Sequence, residues 1–70
     1  MHEQSFRFAH LEVLRVRSRA QRAIAHLETA KASGVPELLR LAHHTCEAAV
    51  RTYRCAINKR NFELRQLTAA

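Results

Sequence analysis

Residues 31–39, KASGVPELL, hold the only glycine and the only proline of a 70-residue chain. Gly34 can take the left-handed conformation that closes a helix, Pro36 suits the first turn of the next, and Glu37 complements that helix's positive end. This stretch predicts a turn at about residues 33–35 between helix 1 at about 3–32 and helix 2 at about 36–66. Each helix is then about 45 Å long, at ~1.5 Å rise per residue. A short connection between long helices makes them antiparallel neighbours, so that residue i lies beside about residue 69 − i.

Outward from the turn, the apolar residues repeat with a helical period on both sides. Phe6, Val13, Ala20 and Leu27 recur every seven residues, and Ala9, Val16, Ala23 and Ala30 recur three residues later; Ile24 is expected to widen this seam. Helix 2 carries a matching seam of Leu39, Cys46 and Tyr53 beside Ala42, Ala49 and Ala56, flanked by Val50, Ile57 and Leu64. The run LRVRSRAQR at residues 14–22 looks like alternating strand, but the helical period continues through it and the period-two pattern does not. The fold class is all-α, an antiparallel two-helix hairpin.

One seam does not use up the apolar residues. Leu41, Ala48, Cys55 and Phe62 recur every seven residues on helix 2, turned away from its seam, and Phe8, Leu11 and Leu14 point away from the seam of helix 1. Apolar surface of that extent on a small chain marks an interface. At 70 residues a lone core supplies only roughly 3–5 kcal/mol, so association is the expected supplement. The expectation is a homodimer forming a four-helix bundle, with Leu14, Leu41, Ala48, Cys55 and Phe62 in the dimer interface.

Chemistry of other kinds finds little footing. Cys46 and Cys55 are nine residues apart, about 13 Å along one helix, too far for a disulfide between them. The string HHTCE gathers His43, His44, Cys46 and Glu47, but zinc wants four ligands, and no second cluster stands at suitable spacing. A thiol on a packing seam behaves as a small hydrophobe rather than a nucleophile, and two helices form no deep pocket. No catalytic residue, metal or cofactor is assigned, and the chain is not expected to be an enzyme. Without a signal-peptide pattern or an apolar run approaching the ~18 residues of a membrane span, it is expected to be soluble and cytoplasmic, with no membrane partner.

The net charge of +6 rests on ten arginines and two lysines against six glutamates. Such a balance attracts nucleic acid or acidic protein surfaces. On helix 1, Arg15, Arg19 and Arg22 fall within about 60° of one another, away from the seam and close to Phe8 and Leu11. Arginines interleaved with aromatic and aliphatic groups are characteristic of protein-binding hot spots, so Phe8, Leu11, Arg15, Arg19 and Arg22 are taken as partner-binding. Arg17 lies instead on the seam edge, within reach of Tyr53 for a cation–π contact or of a partner beyond it. Arg60 is also close to the helix 2 seam, and Glu47 with Arg51 has the spacing of an i,i+4 ion pair. Helix 2 adds Arg40, Arg51, Arg54 and Arg65 on its outer face, with Asn58 and Asn61.

The chain carries no helix-turn-helix trio, no basic region leading into a zipper and no RNA-module signature. A dimeric hairpin can nevertheless read RNA shape, and the layout resembles the plasmid Rop-type RNA-binding hairpins. In size, in the ASGVPELL turn between two long Ala/Arg-rich helices and in its surplus apolar stripes, the chain resembles the small quorum-sensing anti-activator proteins of Pseudomonas phages. That resemblance implies a helical-hairpin dimer that binds a LuxR-type transcription activator and blocks its DNA binding; some members of that family also act on the type IV pilus assembly ATPase. A protein-binding inhibitor or regulator is therefore the leading expectation, and a nucleic-acid-binding hairpin dimer is the alternative.

Overall fold

A computed structural model describes residues 2–69, with side chains from residue 3 onward. Helix α1 spans His2–Ser33 and helix α2 spans Pro36–Thr68, and no strand occurs among the described residues. Helix α1 runs one residue beyond each expected end, and α2 starts where expected and runs two residues further at its C-terminal end. Together they form a rod of 54 × 13 × 12 Å.

The turn is built as its residues require. Gly34 has φ of 71°, in the left-handed region, and Val35 is extended at φ −91° and ψ 113°. Pro36 follows in the first turn of α2, where its missing N–H costs nothing, with Glu37 beside it at the positive end of the helix. Ser33 ties the ends together. Its hydroxyl donates to the carbonyl of Ala30 at 2.7 Å and accepts from the backbone N–H of Val35 at 3.3 Å. The backbone N–H of Leu39 then donates to the carbonyl of Val35 at 3.0 Å, opening α2.

The helices close on small side chains. The buried core consists of Ala9, Val13, Val16, Ala20, Ala23, Ala30, Ala49 and Ala56. Val13 and Val16 meet Ala56, with Tyr53 and Ile57 packed against them; Ala20 and Ala23 meet Ala49, with Cys46 and Tyr53 alongside. These contacts keep to the antiparallel register read from the sequence. Alanine in the seam lets the two backbones approach closely, but it buries little apolar area per residue. Val16 is the only side chain of the core that is less than 2% exposed.

Three details differ from the sequence reading. Ile24 does not widen the seam, because it is 47% exposed on the flank of α1. Arg17 is exposed, and no cation–π contact forms with Tyr53; the one aromatic pair among the described residues is Phe6 stacked on His10, with centroids 6.0 Å apart. Nδ1 of His10 is buried without a hydrogen-bond partner. Finally, Glu47 and Arg51 form no ion pair; the pairs that do form are Arg7 with Glu3, Arg15 with Glu12 and Lys31 with Glu28, all on α1.

Candidate functional site

Two helices lying side by side leave a furrow on each side of their seam. On one side the furrow runs the length of the rod. Near the turn it is lined by His26 and Thr29 of α1 and by Leu38, Leu41 and Thr45 of α2. At mid-length Arg19, Arg22 and His26 face Thr45, Ala48 and Thr52. Towards the free ends Ser5, Phe8 and Glu12 face Thr52, Cys55, Lys59 and Glu63. Residues shared between successive stretches, His26, Thr45 and Thr52, make this one continuous groove.

The groove is apolar at its ends and cationic in its middle. Leu38 and Leu41 stand 51% and 63% exposed near the turn, and Phe8 is 64% exposed at the far end. Between them, Arg19 and Arg22 are bound to no carboxylate among the described residues. Arg15 is different. Its Nε donates to Oε2 of Glu12 at 3.0 Å and its Nη2 donates to Oε1 of the same carboxylate, a bidentate pair. That hydrogen bond holds the Glu12 carboxyl below its ordinary range, with the nearby charges of Arg15, Arg19 and Lys59 acting in the same direction, and the pair raises the Arg15 guanidinium in turn. The outward trio thus becomes one neutralised arginine and two available ones.

The residues expected in the dimer interface are divided between two sides. Leu41, Ala48 and Cys55 line the groove just described, sharing it with Phe8, Arg19 and Arg22. Phe62, 52% exposed, continues their row towards the end of α2. Leu14 belongs to the opposite side. At ~100° per residue, Phe8, Arg15, Arg19 and Arg22 lie rotationally before the seam of α1, whereas Leu14, Arg17 and Ile24 lie after it. Leu11 sits on the outer back of α1, in a shallow surface with Gln4, Arg7 and Phe8. The partner and dimer surfaces expected to be separate are therefore largely one groove, from which Leu14, Leu11 and Arg17 are excluded.

Sequence reasoning overlooked Leu38, Thr45, Thr52 and Lys59 as lining residues. The sign of each residue's angular offset from its seam, combined with the antiparallel register, identifies them. In such a pair, residues displaced in the same rotational sense on both helices share a face, because reversing the chain direction and turning the seam around cancel each other.

Along the other side of the α2 seam, His43, Cys46, Glu47, Val50, Arg51 and Arg54 line a second depression. Among the described residues no three His, Cys, Asp or Glu side chains gather closely enough to hold a metal ion. Cys46 is half-buried and Cys55 exposed, both as free thiols. No helix among the described residues is long and apolar enough to cross a membrane. Compared with protein-family models, with curated proteins and with solved structures, the chain matches none.

Proposed function

We propose that this chain is a non-catalytic regulator that works as a dimeric helical hairpin and inhibits another protein by holding a segment of it in the long groove. One observation carries this reading. The large apolar side chains are mostly outside the core, with Phe8, Leu38 and Leu41 each more than half exposed along a groove whose middle holds the unpaired Arg19 and Arg22. Aromatic and leucine anchors about a desolvatable arginine pair suit an amphipathic helix that brings its own carboxylates. An acidic segment also resolves the charge problem, since a +6 chain repels a uniformly basic target. Within this class, the resemblance to phage anti-activators makes a LuxR-type activator the first target to test and a pilus assembly ATPase the second.

A second reading is nucleic-acid binding, favoured by a specific feature of α2. Arg40, Arg51, Arg54 and Arg65 fall within about 60° of one another on its outer face, and none of them is ion-paired among the described residues. Capture from bacterial lysate with and without nuclease separates the two readings. A protein retained after nuclease treatment and at 200 mM salt is the expected result. Recovery of only nuclease-sensitive material, lost steeply between about 50 and 200 mM salt, would establish phosphate contacts instead.

A further inference from the structure

We infer that a second copy of this chain docks on the side of the hairpin opposite the groove, over Leu14, Ile24, Val50, Ile57 and Leu64, so that dimer and target occupy different faces. The inference rests on the dimeric regulator proposed above and assigns its two surfaces. The first support is area. A folded monomer of 8.1 kDa is expected to expose about 4,500 Å². This chain exposes 5497 Å². The excess of about 1,000 Å² is close to the ~800 Å² that each partner contributes to a standard interface.

Continuity with the core supports this side over the other. On α2, Val50 and Ile57 are half-buried beside the seam residues Cys46, Tyr53 and Ala56, and Ile57 packs directly on the Val13–Val16–Ala56 cluster. Leu64 continues their row seven residues later, 43% exposed. On α1, Ile24 and Leu14 flank the same side at 47% and 44% exposure. A hairpin laid here extends an existing core and turns a two-column seam into the broader apolar stripe that bundle helices carry. The groove side meets the core differently, over the small side chains of Ala9, Ala23, Ala30, Ala49 and Ala56. There Leu41, Ala48 and Cys55 stand off from the seam behind a row that is polar at Thr45, Thr52 and Lys59 and apolar only at Leu38, near the turn.

The character of the two faces also fits the division. Interfaces between identical subunits are the more apolar kind, whereas contacts with a separate partner mix anchors with charge. The five residues named at the centre of the dimer face are uncharged, with Arg17 beside them on α1 and Glu47, Arg51 and Arg54 bordering Val50 on α2, whereas the groove holds two unpaired arginines at its middle, among its leucines and its phenylalanine.

Sedimentation of the full chain between about 1 and 100 μM tests the occupant, and paired substitutions test the face. Wild type is expected at twice 8.1 kDa. Ile24→Arg and Leu64→Arg should weaken association by about tenfold or more, since each places a charge in an apolar contact, whereas Leu41→Arg and Phe8→Arg should leave it unchanged. Circular dichroism checks that each variant remains helical. Should the dimer-face variants unfold, thiol labelling of the wild type decides: Cys55, in the groove, is expected to react freely in the dimer, and Cys46, beside Val50, to be protected relative to dilute monomer. A monomer mass at 100 μM overturns the dimer. Dissociation by Leu41→Arg but not by Ile24→Arg, or protection of Cys55 rather than Cys46, overturns the face. A monomer mass also removes the dimer from the regulatory reading, but neither result touches target binding in the groove, which fails instead on nuclease-sensitive capture.

Discussion

Gly34 illustrates how a single backbone angle organises this chain. A Cβ built at this position meets nothing within 4 Å, so space does not select glycine; its φ of 71° does. Gly34→Ala is expected to destabilise the hairpin by about 1–2 kcal/mol, the cost of holding an L-residue in the left-handed region, and Gly34→Asn by less. Urea denaturation of the three proteins checks the order, and an alanine variant equal to wild type would mean that the turn re-forms in another conformation. Arg15 permits a test of a different kind. Its bidentate bond to Glu12 holds that carboxyl below its ordinary range, so the pair contributes stability above the unfolded glutamate value of about 4.3 and loses it as pH falls through the lower, folded value. Arg15→Met should therefore raise the Glu12 titration midpoint, followed by carboxyl carbon NMR, and shrink the acid-induced loss of helicity in that window. No large stability change should accompany it, because the pair is exposed to solvent.

Between the helices, what matters is how closely they approach. Ala20, Ala23 and Ala49 fill the middle of the seam beside Cys46 and Tyr53. Ala49→Leu inserts three carbons where the backbones are close, and is expected to cost about 1–3 kcal/mol through displaced side chains or separated helices. Ala48→Leu, one residue away and exposed in the groove, should stay within about 0.5 kcal/mol of wild type. Comparison of the two denaturation midpoints tests whether the seam lies where it is described. Much of this element was legible in the sequence. The turn residues, the two heptad columns and the antiparallel register all follow from spacing, because helix geometry converts spacing directly into direction. Sidedness was harder to read. Leu14 and Leu41 are both turned away from their seams, but in opposite rotational senses, and an angular distance without its sign placed them together. Nor did spacing give the partners of individual charges: Arg15 bonds Glu12 three residues back, while Glu47 and Arg51, at an equally favourable separation, do not meet. Exposed pairs of this kind differ by only a few tenths of a kcal/mol, too little for sequence to decide between them.

For the molecule as a whole, charge and apolar surface pull in opposite directions, and salt separates them. Each chain carries +6, so a dimer gathers +12 within a rod whose length is only 54 Å. The contact proposed for the second copy centres on uncharged side chains, and the charges bordering them, Arg17, Arg51 and Arg54 against the single Glu47, are mostly of one sign. Long-range repulsion between the two copies is then the main salt-sensitive contribution, and it opposes association. The screening length falls from roughly 14 Å at 50 mM to about 4 Å at 500 mM, removing most of that repulsion. Dimer Kd should therefore tighten with added salt, on the order of tenfold over this range, when followed by sedimentation equilibrium in sodium chloride. Docking through the groove gives a different dependence, because Glu63 stands there with the cations Arg19, Arg22 and Lys59, and screening would weaken attractions between them in a second copy along with the repulsion. Binding of an acidic target in the groove should loosen as salt rises, so the two equilibria of one protein are expected to move in opposite directions along a single titration. A dimer that weakens with salt would place ion pairs at the centre of its interface and would contradict the assignment of the second copy to the face of Val50, Ile57 and Leu64.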